Sequence, residues 1–202
     1  MSRARRAVLG TAVALLAAAV VSVPAASAAD VVLPFTDYKV AGSLTVKKLN
    51  QSITLPPGST FNGQANITQQ TLTGDVFIPE FTSTVRVLGI PTQVTTKLEQ
   101  VQSVQGTVTV DPDFTVHLRS TTTALLRIKK LRLGLLSVLT TCRTAEPIVL
   151  TLNYDGPLAY PLAFDGTTTI PRLTGCGLLG PTLGTLLSGP GNPYHVTIAP
   201  PS

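Results

Sequence analysis

The sequence predicts an all-β protein, either an antiparallel β-sandwich or a partly closed barrel, with one short C-terminal helix and one disulfide. Three observations lead there. Runs rich in Val, Thr, Ile and Leu alternate with turn signals, and the 202 residues include 16 Gly and 16 Pro. Lys, Glu and Ala, the usual fillers of exposed helix positions, are sparse after residue 30. Several runs alternate apolar and polar residues with period two, as half-buried strands do.

The first element is not part of that domain. Arg3, Arg5 and Arg6 precede an Ala/Val/Leu run that ends near Val23, followed by Pro24 and Ala25-Ala26-Ser27-Ala28-Ala29. That order reads as a secretory signal peptide over residues 1–29, cleaved after Ala28 or Ala29. The competing reading, an uncleaved anchor, needs about 20 apolar residues, and this run is shorter and interrupted by Gly10 and Thr11. No cysteine lies at the cleavage site and no apolar tail closes the chain, so the expected product is secreted without a lipid or transmembrane anchor. The general secretory route fits the residues better than the twin-arginine route. Cleavage also corrects the charge. Without the three arginines, 12 basic residues face 10 acidic ones, a net +2 instead of +5. The apparent basicity of the precursor is therefore no footprint of nucleic acid.

Residues 30–202 read as one domain, long enough for a sizeable core. Strands are expected at 38–46, 60–68, 72–78, 84–88, 93–101, 106–110, 114–122, 126–139, 148–154, 162–170 and 195–198. Pro56-Pro57-Gly58, Asp111-Pro112-Asp113 and Asp155-Gly156-Pro157 supply turns between them. In 60–68, Phe61, Gly63, Ala65 and Ile67 face one way and Asn62, Gln64, Asn66 and Thr68 the other. The stretch 93–104 is the ambiguous one. Val94, Leu98, Val101 and Val104 recur at near-helical spacing, but Val94-Thr95-Thr96 favours strand. A short helix is expected over 181–187, after a glycine-rich turn and before Ser188-Gly189-Pro190-Gly191.

The two cysteines, Cys142 and Cys176, both fall in the exported part and read as one disulfide. Closing that loop stabilises the fold by about 3–4 kcal/mol in the chain-entropy model. Neither histidine stands at ligand spacing from a cysteine, so a metal pair lacks ligands.

Catalytic signatures are scarce. No Gly-x-Ser-x-Gly elbow occurs. His117 is flanked by alternating apolar residues and reads as a strand-face histidine before it reads as a base; His195 lies near the C-terminus. Glu80, Glu99 and Glu146 are isolated, and nothing singles out a glycosidase pair. Asp111-Pro112-Asp113 offers two carboxylates to calcium, which prefers six to eight oxygens, and the same tripeptide is a common turn. No catalytic residue, metal ligand or cofactor site is assigned.

Two features bear on binding. Leu126-Arg127-Ile128-Lys129-Lys130-Leu131-Arg132-Leu133 alternates until Lys129-Lys130 shifts the phase. A bulge there would keep Arg127, Lys129, Lys130 and Arg132 on one face and the leucines and isoleucine on the other. Such a basic face is either a solvated surface that discourages edge pairing or a patch for anionic cell-wall polymer or lipid headgroups. No aromatics are interleaved for base stacking, so nucleic acid is not the expected partner. The chain has no Trp, which disfavours the aromatic platforms of sugar-binding modules. The second feature is Leu178-Leu179, Leu183 and Leu186-Leu187, which either cap one end of the core or line the mouth of an apolar pocket.

Tyr38 and Gly42, Leu55-Pro56-Pro57-Gly58, Gly74-Asp75, Cys142, Pro147-Ile148, Cys176-Gly177 and Ser188-Gly189-Pro190-Gly191-Asn192-Pro193 give the chain a wider likeness. With the Arg-led, Ala-rich leader, it resembles secreted β-rich proteins of actinobacteria. That resemblance spans most of the exported chain, but its motifs are turns and cysteines. It carries no activity, and so assigns no functional residue. The expected function is a secreted, non-enzymatic extracellular or cell-envelope protein that binds an apolar or amphiphilic ligand such as a lipid. The alternatives are a surface-interaction protein whose basic face contacts anionic cell-wall polymer, and a hydrolase built on a carboxylate or His117.

Overall fold

The structure, a computed structural model, describes residues 29–201 other than Leu88. The expected signal peptide thus lies outside the described residues, apart from Ala29. In chain order the strands are β1 (Val32–Val46), β2 (Gln51–Thr54), β3 (Thr60–Asn66), β4 (Thr71–Phe77), β5 (Phe81–Val87) and β6 (Ile90–Val110). There follow β7 (Thr115–Leu133), β8 (Leu136–Thr144), β9 (Ile148–Pro157), β10 (Leu162–Ile170) and β11 (Leu173–Thr174). A 3₁₀ turn (Gly177–Leu179) leads into the helix α1 (Gly180–Leu187), and β12 (Gly189–Ala199) ends the chain.

All the described strands belong to one antiparallel sheet, ordered β10-β12-β1-β3-β4-β6-β7-β8-β11, with β2 on β1, β5 on β6 and β9 on β7. The sheet curls into a half-barrel. Of the two architectures open to the sequence, this is the partly closed barrel.

The β6–β7 hairpin is its spine. Its strands run 21 and 19 residues, far beyond the usual five or six or so, because each serves two neighbours in turn. β6 pairs β5 along 90–96 and β4 along 104–107; β7 pairs β9 along 115–124 and β8 along 127–133. Register shifts around Gln100, Gln102 and Gln105 fall where the neighbours change, and bulges there let the spine bend. Two lobes result, a far lobe at the β6–β7 turn and a lid lobe carrying α1.

Side chains bridge the places where strands part. The Gln100 carboxamide accepts from the Val76 N–H at 2.7 Å and donates to the Gln102 carbonyl and Thr122 Oγ1, closing the split between β4 and β5. Gln51 joins β2 to β5 the same way, with its Oε1 accepting from the Arg86 N–H and its Nε2 donating to the Arg86 carbonyl. Across β9 and β10, which run side by side without a ladder, Thr168 Oγ1 donates to the Val149 carbonyl at 2.7 Å and the Tyr194 hydroxyl donates to the Thr151 carbonyl.

The far lobe packs its core around Phe61, Leu72, Val104, Leu118, Leu152 and Phe164. In the lid lobe the buried set is smaller: Ile128, Leu131, the two cysteines and Leu183.

Several boundaries differ from the sequence expectation: β1 starts at Val32 instead of 38, β5 starts at Phe81 instead of 84, and 114–122 runs on into the first part of 126–139 as β7. The segments 93–101 and 106–110 join as β6. The segment 126–139 splits at Gly134, whose φ of +56° makes the turn into β8. β12 begins at Gly189 despite Pro190 and Pro193. Its pairing with β1 starts only at Tyr194, so both prolines sit where one side of the strand has no ladder partner. The short strands β2 and β11 were not expected.

Candidate functional site

The lid lobe surrounds an apolar cavity of about 260 Å3. Period-two alternation builds its walls. β5 turns Phe81, Ser83, Val85 and Val87 inward, and β6 turns Ile90, Thr92, Val94, Thr96 and Leu98. β1 and β2 add Leu44, Val46 and Ile53, while β7 adds Ile128, Leu131 and Leu133.

The open side of the curl is closed by α1, which lays Thr182, Leu183, Leu186 and Leu187 over it. Pro181 suits the first turn of that helix, where its missing N–H costs nothing. The helix is tied down at both ends. The Cys142–Cys176 disulfide fastens the preceding segment to β8, and Lys48 Nζ donates to the Thr185 carbonyl at 2.9 Å.

The cavity continues inward. A second void of about 110 Å3 shares the walls Leu44, Leu55, Leu98 and Ile148 and extends past Leu150 to Tyr194 and Val196. A third, of about 30 Å3, shares Val76, Leu152 and Ile198 and ends among Phe35, Phe61 and Phe164. The three voids lie in file and taper away from the lid. At the wide end, Ile90 is both a wall and 53% exposed, so the cavity reaches the surface at the β5–β6 turn.

No wall of the void beneath α1 carries a carboxylate, imidazole, amine, guanidinium or thiol. Its polar groups are hydroxyls. Thr92 Oγ1 is satisfied by the Ile90 carbonyl at 3.1 Å, whereas the Ser83 hydroxyl is buried with no partner. A buried unpaired hydroxyl is costly and calls for a cause. Such a lining suits hydrocarbon and presents the Ser83 hydroxyl to a polar atom within it.

The sequence-derived candidates lie elsewhere. Lys129 is the extra residue of a bulge, with Thr96 opposite Ile128 and Thr95 opposite Lys130. Lys129, Lys130 and Arg132 are exposed on the outer face, while Ile128 and Leu131 are buried. Lys129 lies 3.7 Å from Glu80, and Arg132 Nε donates to the Gly134 carbonyl. Arg127 is drawn into a 2.5 Å pair with Glu99. Burial would raise the Glu99 carboxyl, but Arg127 and Lys97 hold it below its ordinary value.

His117 sits on the outer face at the far end, its Nδ1 2.6 Å from Asp155 and its Nε2 3.1 Å from Asp111. Hydrogen bonds to Asp155 and then Asp111 raise its pKa. Arg119 binds Asp155 through both carboxylate oxygens at 2.8 Å and holds that carboxyl low. Asp113 accepts from the Thr115 N–H, so the Asp-Pro-Asp stretch is bound up as a turn. His195 pairs with Asp165 at 2.7 Å. The hydrogen bonds of both histidines go to carboxylates, and neither histidine lines the cavity.

Sequence reasoning found the lid leucines and a strand at 84–88, but not the start of β5 that carries Phe81 and Ser83. Its signal was the alternation Phe81-x-Ser83-x-Val85-x-Val87, one strand turn longer than the expected 84–88. Comparison with known protein families, characterised proteins and solved structures yields no match for this chain.

Proposed function

We propose that this is a secreted or cell-envelope binding protein, non-enzymatic, that holds a small apolar or amphiphilic molecule in the half-barrel. The observation that carries this reading is the tapering apolar cavity under α1. Its first two voids together reach the range of roughly 300–1,000 Å3 typical of small-molecule sites. Ordinary cores leave few voids larger than a water molecule, so packing alone does not account for it. Ser83 supplies the orienting contact, donating to an oxygen of the ligand while the hydrocarbon extends toward Leu98 and Leu150. The disulfide fits an oxidising compartment, in keeping with the signal peptide read from residues 1–29.

Native mass spectrometry of the protein from its producer's culture medium tests the reading. A co-purifying small apolar mass is expected, on a chain beginning at Ala29 or Asp30. The variant Ser83→Leu fills the cavity and removes the hydroxyl. It is expected to lose that mass and to take up an apolar fluorophore at least tenfold more weakly, with its β-sheet circular dichroism unchanged. A wild-type protein that neither carries a mass nor takes up the fluorophore overturns the reading, as does unchanged uptake in Ser83→Leu.

A further inference from the structure

We infer that the lid-side end of the half-barrel is a docking surface for an anionic lipid bilayer. Two hairpin tips project there side by side, since Thr92 near the β5–β6 turn pairs with Leu133 at the β7–β8 turn. A Cβ placed on Gly89 or Gly134, the turn glycines, would meet no atom within 4 Å, so both tips stand clear of the body. Around them apolar side chains face water: Leu135 is 100% exposed, Leu139 81%, Leu136 63% and Ile90 53%. Large apolar side chains gathered this way mark an interaction site.

The neighbouring charges identify the partner. Lys130 is the register partner of Leu139, and Arg132 that of Ser137, so both cations share the outer face with β8, next to the exposed Leu139 and the Leu135-Leu136 tip. Lys130 and Arg132 make no ion pair among the described residues; Lys129 has only Glu80. An exposed apolar rim backed by free cations matches lipid headgroups over acyl chains. The opposite end has the reverse character. There the exposed Phe114 is flanked by Asp111 and Asp113, which an anionic surface repels.

Other occupants fit less well. An anionic wall polymer would satisfy the cations and leave the leucines solvated. A second copy docked through the same end would bring Lys129, Lys130 and Arg132 of both chains together. The bilayer satisfies both sets. It also meets the cavity where Ile90 is at once wall and rim, so a chain could pass from bilayer to cavity without crossing water. That last step rests on the cavity reading; the docking itself does not.

Flotation of the whole exported protein with vesicles tests it, using phosphatidylglycerol mixed with phosphatidylcholine against phosphatidylcholine alone. Binding is expected to the anionic vesicles, to weaken with salt, and to fall at least tenfold in Leu135→Asp/Leu136→Asp and in Lys129→Glu/Lys130→Glu/Arg132→Glu. Phe114→Asp is expected to bind like wild type. Fluorophore uptake without vesicles, measured on the same variants, is expected to stay intact. Intact uptake without flotation therefore overturns docking alone, and flotation without uptake overturns only the cavity reading. Docking is also overturned if both multiple variants float like wild type. The same holds if the protein is retained by purified cell wall and not by vesicles, or if it forms a dimer that Leu135→Asp/Leu136→Asp dissolves.

Discussion

At the scale of single residues, the sharpest contrast lies between two polar side chains, Ser83 and His117. The first is buried and unpaired; the second is exposed and held by two carboxylates. His117 was visible in the sequence as a strand-face histidine, because Val116 and Leu118 flank it with the period of a half-buried strand. Its partners were not visible. Asp155 comes from β9 and is set opposite His117 only by pairing register. The raised pKa of His117 has a direct consequence. A group whose folded pKa lies above its ordinary 6.5 contributes stability fully below that value and loses it as pH rises through the folded pKa. The depressed Asp155 contributes above the ordinary carboxylate range and loses its share as pH falls through its own folded pKa. Stability should thus decline from mildly acidic toward alkaline pH, and His117→Gln should flatten that decline. Denaturant midpoints measured across the neutral range check it. An unaltered slope in the variant would refute the assignment.

At the scale of elements, alternation explains most of what was legible. It gave the inward and outward faces of β3, β6 and β7, and the doubled Lys129-Lys130 marked its own bulge. Alternation does not reveal which strands pair, because period two is identical for every neighbour. The turn at Gly134 was hidden for the same reason, since Leu133-Gly134-Leu135-Leu136 keeps the apolar content of a strand. Where β6 changes neighbours, a strand pair would leave backbone groups bare, and Gln100 covers them through three hydrogen bonds. Gln100→Ala should therefore destabilise the protein by about 1–3 kcal/mol, the range for leaving a part-buried polar group unpaired. The exposed Gln105→Ala, on the same strand, should stay within about 0.5 kcal/mol of wild type. Equal losses in the two variants, read from chemical denaturation, would mean that the Gln100 bridge contributes nothing.

For the molecule as a whole, the two lobes of one continuous sheet are packed differently, and the proposed binding function rests on that asymmetry. The far lobe closes on aromatic and branched side chains around the two narrower inner voids. The lid lobe keeps its largest space empty beneath an eight-residue helix. Sequence patterning cannot register such a space, because it assigns side chains to a face without fixing how far away the opposite wall stands. Cavity walls lack dispersion partners on one side, so the lid lobe should open locally at lower free energy than the far lobe. A ligand in the cavity restores those contacts and stabilises the folded state by mass action, by about 2.7 kcal/mol at a hundredfold excess over Kd. Hydrogen exchange should accordingly be faster in α1 and β5, which wall the cavity, than in β3 and residues 115–119 of β7 in the ligand-free protein. An apolar fluorophore should slow exchange in the first group and leave the second unchanged. Uniform slowing in both groups would place the ligand outside this cavity, because its walls come from the first group and not from the second.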